Sequence, residues 1–396
     1  MNDMTDFSPA RTLLAAAQEM QPRLRERAMV AERERVVPRE TIDELHKAGF
    51  FKLLVPRELG GYDGSYSDYV DITATLTRGC ASTGWVYMIG GYLTGAAGAY
   101  LPFEGASEIF PAGTDVMCCG VNGPTATAKP TEGGYLVSGS WGFGSGSAHA
   151  SWFLGGVMVT DEAGAVVNQG FVFFPMTQAK IKDTWHVTAM RGTGSNTVMV
   201  ENLFVPAKRV AMLGDRLQRE HQFHEGDSTV ARMPFGAAFG VGLMGAVLGM
   251  AEAILDAVVA DVKKKGITYW NFDKASDSAT TLHKLGEAAM QIQTARLHVK
   301  RGCYDLEEIT KTRTLTIAER ARVRTDAAHA AQMCRTAADT LVNLAGASAF
   351  AETNPIQRYW RDLGLASRHA QLNTHLHYEV YGRAQCGMDP SISPFI

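Results

Sequence analysis

Cysteine is scarce and scattered. The six residues, at 80, 118, 119, 303, 334 and 386, form no C-x-x-C pair, and adjacent Cys118 and Cys119 are poorly spaced to share one metal. That excludes a disulfide frame and a zinc site and fits reduced thiols. Charge of one sign is also lacking. With 38 basic and 41 acidic residues the net charge is −3, so neither nucleic acid nor an anionic membrane is expected as a partner. Met1–Arg11 has no apolar core of the kind a secretory signal needs, and a cytoplasmic location is expected. Internal repeats and low-complexity linkers are missing too.

Long apolar runs are limited to one. Met233–Ala251 carries no charge and approaches membrane-span length. It is rich in Gly and Ala, opens at Pro234 and runs on into Glu252, Asp256 and Asp261, which points to a buried bundle helix. Glycines four apart, Gly236/Gly240 and Gly245/Gly249, suit close helix approach. The same run holds a literal G-x-G-x-x-G at Gly240–Gly245. A dinucleotide site needs those glycines between a strand and a helix of a βαβ unit. Here they fall inside a helical pattern, so no NAD(P)H domain of that type is expected.

What is present divides the chain in three. Helical periodicity covers residues 1–115, with helices at Arg11–Arg35, Arg39–Ala48, Ser67–Thr77 and Ser82–Tyr100. Residues 116–215 show short β-rich runs between turn signals, clearest at Trp152–Thr160, Gly170–Pro175 and Thr197–Val205. They predict a compact antiparallel barrel or sandwich. Residues 216–396 return to long helices, Thr281–Lys311, Thr316–Ala345 and a last one at Tyr359–Tyr381, and predict a four-helix bundle followed by an extended tail. The fold class is therefore α+β and multi-domain.

Two blocks in the β region carry chemistry. Val137–Trp152 packs four glycines, five serines and two tryptophans into one span. Glycines let backbone approach a flat ligand, hydroxyls bond ring nitrogens and carbonyls, and tryptophan offers a flat wall. A tightly packed strand and turn would use the same composition. The second block, Trp185–Ser195, sets Arg191 before Gly192, Thr193, Gly194 and Ser195, a loop able to hold a phosphate or a ring edge. Two such blocks within sixty residues point to one shared site for a planar heteroaromatic cofactor.

The pattern W-x-F-x-S-G at Trp141–Gly146, then W-x-x-x-x-M-R-G-T-G-S at Trp185–Ser195, resembles the acyl-CoA dehydrogenase fold family. Ser82-Thr-Gly-Trp85 and the Arg361-Asp362 pair fit as well. The likeness is greatest to the flavin-dependent monooxygenase branch, the oxygenase components of two-component systems. That resemblance implies reduced flavin (FMNH2 or FADH2) and O2 as cofactors, a C4a-hydroperoxide as oxygen donor, a separate NAD(P)H:flavin reductase, a small aromatic substrate such as a phenol or indole, and a homotetramer built on the bundle. An acyl-CoA dehydrogenase, or an N- or S-oxygenase on the same fold, is the alternative. A catalytically silent fold relative is a third reading.

The resemblance also distributes roles. Dehydrogenases of this fold commonly draw a glutamate base from the stretch after the Arg-Asp pair. Here Arg361–Asn373 holds no carboxylate beyond Asp362, and His369 stands in the region. Helical spacing would put Asp362, Leu365, Ala366, His369, Asn373, Leu376 and Val380 on one inward face. His369 is then expected to hydrogen-bond or deprotonate a substrate hydroxyl, and Ser145 to hold the flavin N5 region. Trp141, Phe143, Ser145, Gly146, Arg191, Gly192, Thr193 and Ser195 are the expected cofactor contacts. Trp85, Arg232 and Asn373 are the expected substrate contacts, and no metal ligand is expected.

Overall fold

The computed structural model describes residues 9–112 and 115–396. The reading of Met1–Arg11 falls largely on residues 1–8, outside the described residues. The first helices are α1 (Pro9–Glu34), α2 (Arg39–Ala48), α3 (Tyr66–Gly79), α4 (Ala81–Tyr100) and the short α5 (Phe103–Ile109). Their ends follow local chemistry. Gly49 closes α2 in the left-handed conformation, φ 86°, and the Ser65 hydroxyl caps α3 by accepting from the Asp68 amide.

The middle of the chain forms β1 (Cys118–Thr131), β2 (Gly134–Gly144), β3 (Trp152–Thr160), β4 (Val166–Pro175), β5 (Lys180–Lys182), β6 (Asn196–Pro206) and β7 (Val210–Met212). Among the described residues they make one seven-stranded sheet in the order β5-β6-β2-β1-β3-β4-β7. The all-antiparallel expectation is corrected at one pairing: β1 and β3 run parallel, Cys118 opposite Trp152. The β1–β2 hairpin occupies the space beside β1, so the chain crosses over before β3 lies down on its other edge. One face encloses a core of Val137, Trp141, Phe153, Val157, Val172, Phe174 and Val198.

The remaining helices are α6 (Leu213–Arg219), α7 (Phe235–Val262), α8 (Ala279–Glu308), α9 (Ile317–Ala345), α10 (Pro355–Ala366) and α11 (Thr374–Gln385). The apolar run lies in α7, a helix long and apolar enough to cross a membrane, whose first seventeen residues are all buried in the protein. Its glycines serve packing: Gly242 meets the Tyr66 hydroxyl and Gly245 the Val70 carbonyl and Thr73, so α3 and α7 approach closely.

The expected last helix is corrected. α10 stops at Ala366 and α11 starts at Thr374, with a single 3-10 turn at Ala370–Leu372 between them. No Gly or Pro marks the break. Local side chains make it: the Ser367 hydroxyl bonds back to the Leu363 carbonyl, His369 caps the 3-10 turn, and Asn373 caps α11 by accepting from the Leu376 amide. The single face from Asp362 to Val380 therefore does not exist, and His369 sits in a connection.

The sheet core leaves no slack at Gly155. A Cβ there would stand 2.5 Å from the Trp141 ring, whose Nε1 already donates to the Gly156 carbonyl at 2.7 Å. Gly155→Ala is expected to cost about 1–3 kcal/mol by overpacking and to lower the calorimetric Tm. An unchanged Tm would show that the ring can move aside.

Candidate active site

The two Gly/Ser blocks meet where the sheet abuts α4. Ser145 follows β2, and Gly146, at φ 76°, donates its amide to the Thr193 carbonyl at 2.9 Å, stitching one block to the other. A line of buried side chains then runs through the seam. Trp85 Nε1, from the second turn of α4, donates to Ser145 Oγ at 3.2 Å. Ser145 Oγ lies 2.7 Å from Ser195 Oγ, and Ser195 Oγ 2.6 Å from Thr193 Oγ1. Thr193 Oγ1 is 2.9 Å from the Met190 carbonyl.

The direction of this line is fixed at its far end. A carbonyl only accepts, so Thr193 donates to Met190. Each hydroxyl has one proton, so Ser195 must donate to Thr193 and Ser145 to Ser195. Ser145 has then spent its proton inward. It accepts from Trp85 and keeps one lone pair for a ligand.

Met190 anchors the arrangement. It stands in the left-handed region, φ 53°, and its carbonyl also accepts from Trp185 Nε1 at 2.9 Å. Its amide donates to the Asp362 carboxylate on α10. Asp362 is fully buried. Burial pushes its pKa up to about 7, partly offset by the Met190 amide.

His369 closes the site from the bundle side. Its ring centroid is 6.3 Å from that of Trp85 and 5.7 Å, edge-on, from that of Phe239 on α7. Burial pushes its pKa down to about 4, so it is neutral near pH 7. Its Nδ1 accepts from the Gln371 amide at 3.2 Å, which leaves the proton on Nε2. The histidine is thus set up as a hydrogen-bond donor and a poor base.

Several sequence expectations land elsewhere. Trp141 is a fully buried part of the sheet core, packed against Phe153 and Phe174. Arg191 turns away from the hydroxyl line: its Nε and Nη1 donate to the carbonyls of Glu32 and Val187, pinning the loop to α1. Arg232 bonds within its own loop, to the Asp227 carbonyl and Thr229 Oγ1, and lines a cleft with Arg219, Phe223 and Arg313. Asn373 is exposed and occupied in capping α11. Gly192 is wedged between Ala31 and Ser82, where a Cβ would meet both at 2.9 Å. Phe143, at φ 64°, leaves 72% of its surface exposed, with its ring edge-on to Trp185. The sequence reading missed Phe239, hidden in a Gly/Ala helix, and the tie from Asp362 to Met190.

Comparison with known proteins identifies the family. Residues 11–99 match the acyl-CoA dehydrogenase N-terminal domain and residues 241–374 the acyl-CoA dehydrogenase C-terminal domain. The chain is 31% identical over 386 residues to the flavin-dependent monooxygenase oxygenase subunit HsaA of Mycobacterium tuberculosis, covering 96% of this chain and 97% of that one. The chain belongs to the acyl-CoA dehydrogenase family, in its flavin-dependent monooxygenase branch. An FADH2-dependent resorcinol hydroxylase oxygenase component from Rhizobium sp. is 27% identical, covering 98% of this chain and 99% of that one. Among solved structures, XiaF from Streptomyces sp., in complex with FADH2 and glycerol, superposes with a TM-score of 0.93 at 30% identity, covering 97% of each chain.

The carboxylate of Asp362 gives a pH signature. Its folded pKa, about 7, lies above the ordinary 3.8, so the native state holds the proton more tightly. Its contribution to stability therefore falls as pH rises from about 4 to about 7. Asp362→Asn can still accept from Met190 but does not titrate. Denaturant unfolding should show a shallower loss of stability from pH 5 to 8 in the variant. Parallel curves would mean Asp362 titrates normally.

Proposed function

We propose that this protein is the oxygenase component of a two-component aromatic hydroxylase. The observation that carries the reading is the meeting of Ser145, Trp85 and His369 at the sheet–bundle seam, with one free acceptor on Ser145 and one N–H on His369. A flat reduced flavin supplies both the reducing electrons and the site at which O2 is activated. The residues fit it. Ser145 offers an acceptor to the N5 edge, Trp85 an apolar wall, and Phe143 and Trp185 an aromatic shelf beside the Gly142–Gly144 backbone. Thr193, Ser195, Gly146 and Gly192 shape the cradle behind them.

His369 Nε2 donates to the oxygen of a phenol-like substrate, orienting the ring and stabilising charge on that oxygen as the ring carbon is attacked. The buried seam of Trp85, Phe239 and the hydroxyl line excludes water, which favours oxygen transfer over loss of peroxide. Arg191 and Arg232 act at a distance, holding loops. Asn373 positions α11 beneath the His369 connection. A dehydrogenase reading is disfavoured because the one carboxylate of Arg361–Asn373, Asp362, is committed to the Met190 amide.

A separate NAD(P)H:flavin reductase supplies the reduced cofactor, in keeping with relatives named as oxygenase subunits and components. The substrate is a small hydroxylated aromatic, the class to which resorcinol and p-hydroxyphenylacetate, named for two relatives, belong. A homotetramer is supported by α8, which exposes Leu282, Met290, Leu297 and Tyr304 at seven- and eight-residue spacing along one face.

The reading is tested with a reductase-driven assay, counting hydroxylated product by mass and H2O2 per reduced flavin. His369→Ala should lower product yield roughly 10²–10³-fold, the cost of one lost donor to a developing oxyanion, with H2O2 taking its place. His369→Asn, which keeps an N–H, should recover part of it. Wild-type yield should show no transition near pH 6.5 assignable to His369. Full yield in His369→Ala would make the histidine a packing residue.

A further inference from the structure

The hydroxyl line does more than fill the seam. It has a polarity, and the polarity is set two residues away from the ligand. Thr193 donates to a carbonyl that cannot donate back. Ser195 therefore points its proton at Thr193, and Ser145 points its proton at Ser195. Trp85 Nε1 fills one lone pair of Ser145. Ser145, Thr193 and Ser195 are at most 6% exposed, so water has little access with which to reverse the order.

We propose that Thr193 and Ser195 are positioning residues that give the flavin site its redox preference, by locking Ser145 as an acceptor. The inference rests on the reading that Ser145 faces the flavin N5 edge. Reduced flavin carries a hydrogen on N5 and can donate it to the free lone pair of Ser145. Oxidised flavin presents a lone pair at N5, and Ser145 has no proton left to offer it. The same oxygen thus binds one redox state and repels the other. A freely rotating serine would serve both. The protein takes up reduced flavin and releases the oxidised form at the end of a turnover, which is the order a component fed by a separate reductase requires.

Breaking the line frees the Ser145 proton. In Thr193→Val, which keeps shape and removes the anchor, Ser195 need not donate inward, and Ser145 can turn its hydroxyl to N5 of oxidised flavin. In Ser195→Ala the Ser145 proton loses its acceptor directly. Thr193→Ser keeps the anchor and should keep the wild-type redox preference.

The experiment is an anaerobic titration of the full-length protein with dithionite-reduced flavin and, separately, with oxidised flavin, giving Kd(oxidised)/Kd(reduced) for each variant. The ratio should fall about tenfold in Thr193→Val and in Ser195→Ala, the scale of one hydrogen bond gained where a buried group had been unpaired. For a two-electron couple, tenfold is a drop of about 30 mV in the bound flavin potential. Thr193→Ser should keep the wild-type ratio. Ser145→Ala should lose the preference as well. An unchanged ratio in Ser145→Ala would overturn the placement of Ser145 at N5. A ratio lost in Ser145→Ala but kept in Thr193→Val and Ser195→Ala would overturn the polarity argument alone. Loss in Thr193→Ser as much as in Thr193→Val would reduce Thr193 to a packing role.

Discussion

The hydrogen bond from the Met190 amide to the buried Asp362 carboxylate joins the β region to the bundle, and the site hangs from it. Met190 is held in a left-handed conformation that costs a non-glycine residue of order 1–3 kcal/mol at such positions. The cost is offset because both of its backbone polar groups are engaged: the amide by Asp362, the carbonyl by Thr193 and Trp185. Turned any other way, that carbonyl would not end the hydroxyl line, and Ser145 would have no fixed direction. Asp362 in turn lies near the end of α10, one short connection before His369. One tie thus fixes the height of the loop that carries the hydroxyls and of the segment that carries the histidine.

This arrangement explains why so apolar a seam tolerates so many polar atoms. Buried donors and acceptors are expensive unless paired, and low surrounding polarity makes each pairing worth more. From Trp85 to Met190 every proton has a destination. Ser145 stands at the outer end of that line with a lone pair left over, and His369 keeps an Nε2 proton. One accepts and the other donates, and the rings of Trp85 and Phe239 pack against that of His369.

Much of this could be read from the chain alone, and the gaps have physical reasons. The glycine, serine and threonine residues that converge on Ser145 stood out in sequence because few folds pack that composition into two strands and their loops. The end of α2 was legible from the Gly49 that follows Ala48. Trp85 and Trp141 looked alike as walls, yet only tertiary packing decides that one ring lines the seam and the other fills the sheet. The break at 367–373 was illegible because Ser, His and Asn make it with side-chain bonds that a helical stretch could equally carry outward to solvent. The parallel pairing of β1 with β3 depends on where a hairpin is laid down, which short-range pattern does not encode. Arg191 sat in a phosphate-like loop, but its reach let it pin α1 instead.

The chemistry follows from what the fold does with its charges. In a dehydrogenase of this architecture a carboxylate must stand ready to take a proton from carbon. Here the carboxylate of the corresponding stretch is withdrawn into a structural tie. His369, which packs against Trp85 at the seam, is held neutral with its proton on Nε2 by burial and by the Gln371 amide. The seam therefore presents hydrogen bonds of fixed direction in place of a base. Such a site is poor at abstracting protons from carbon. It is suited to holding a reduced, N–H-bearing ring on one side and an oxygen-bearing ring on the other, dry and in register, which is what oxygen transfer between two flat molecules demands of a protein.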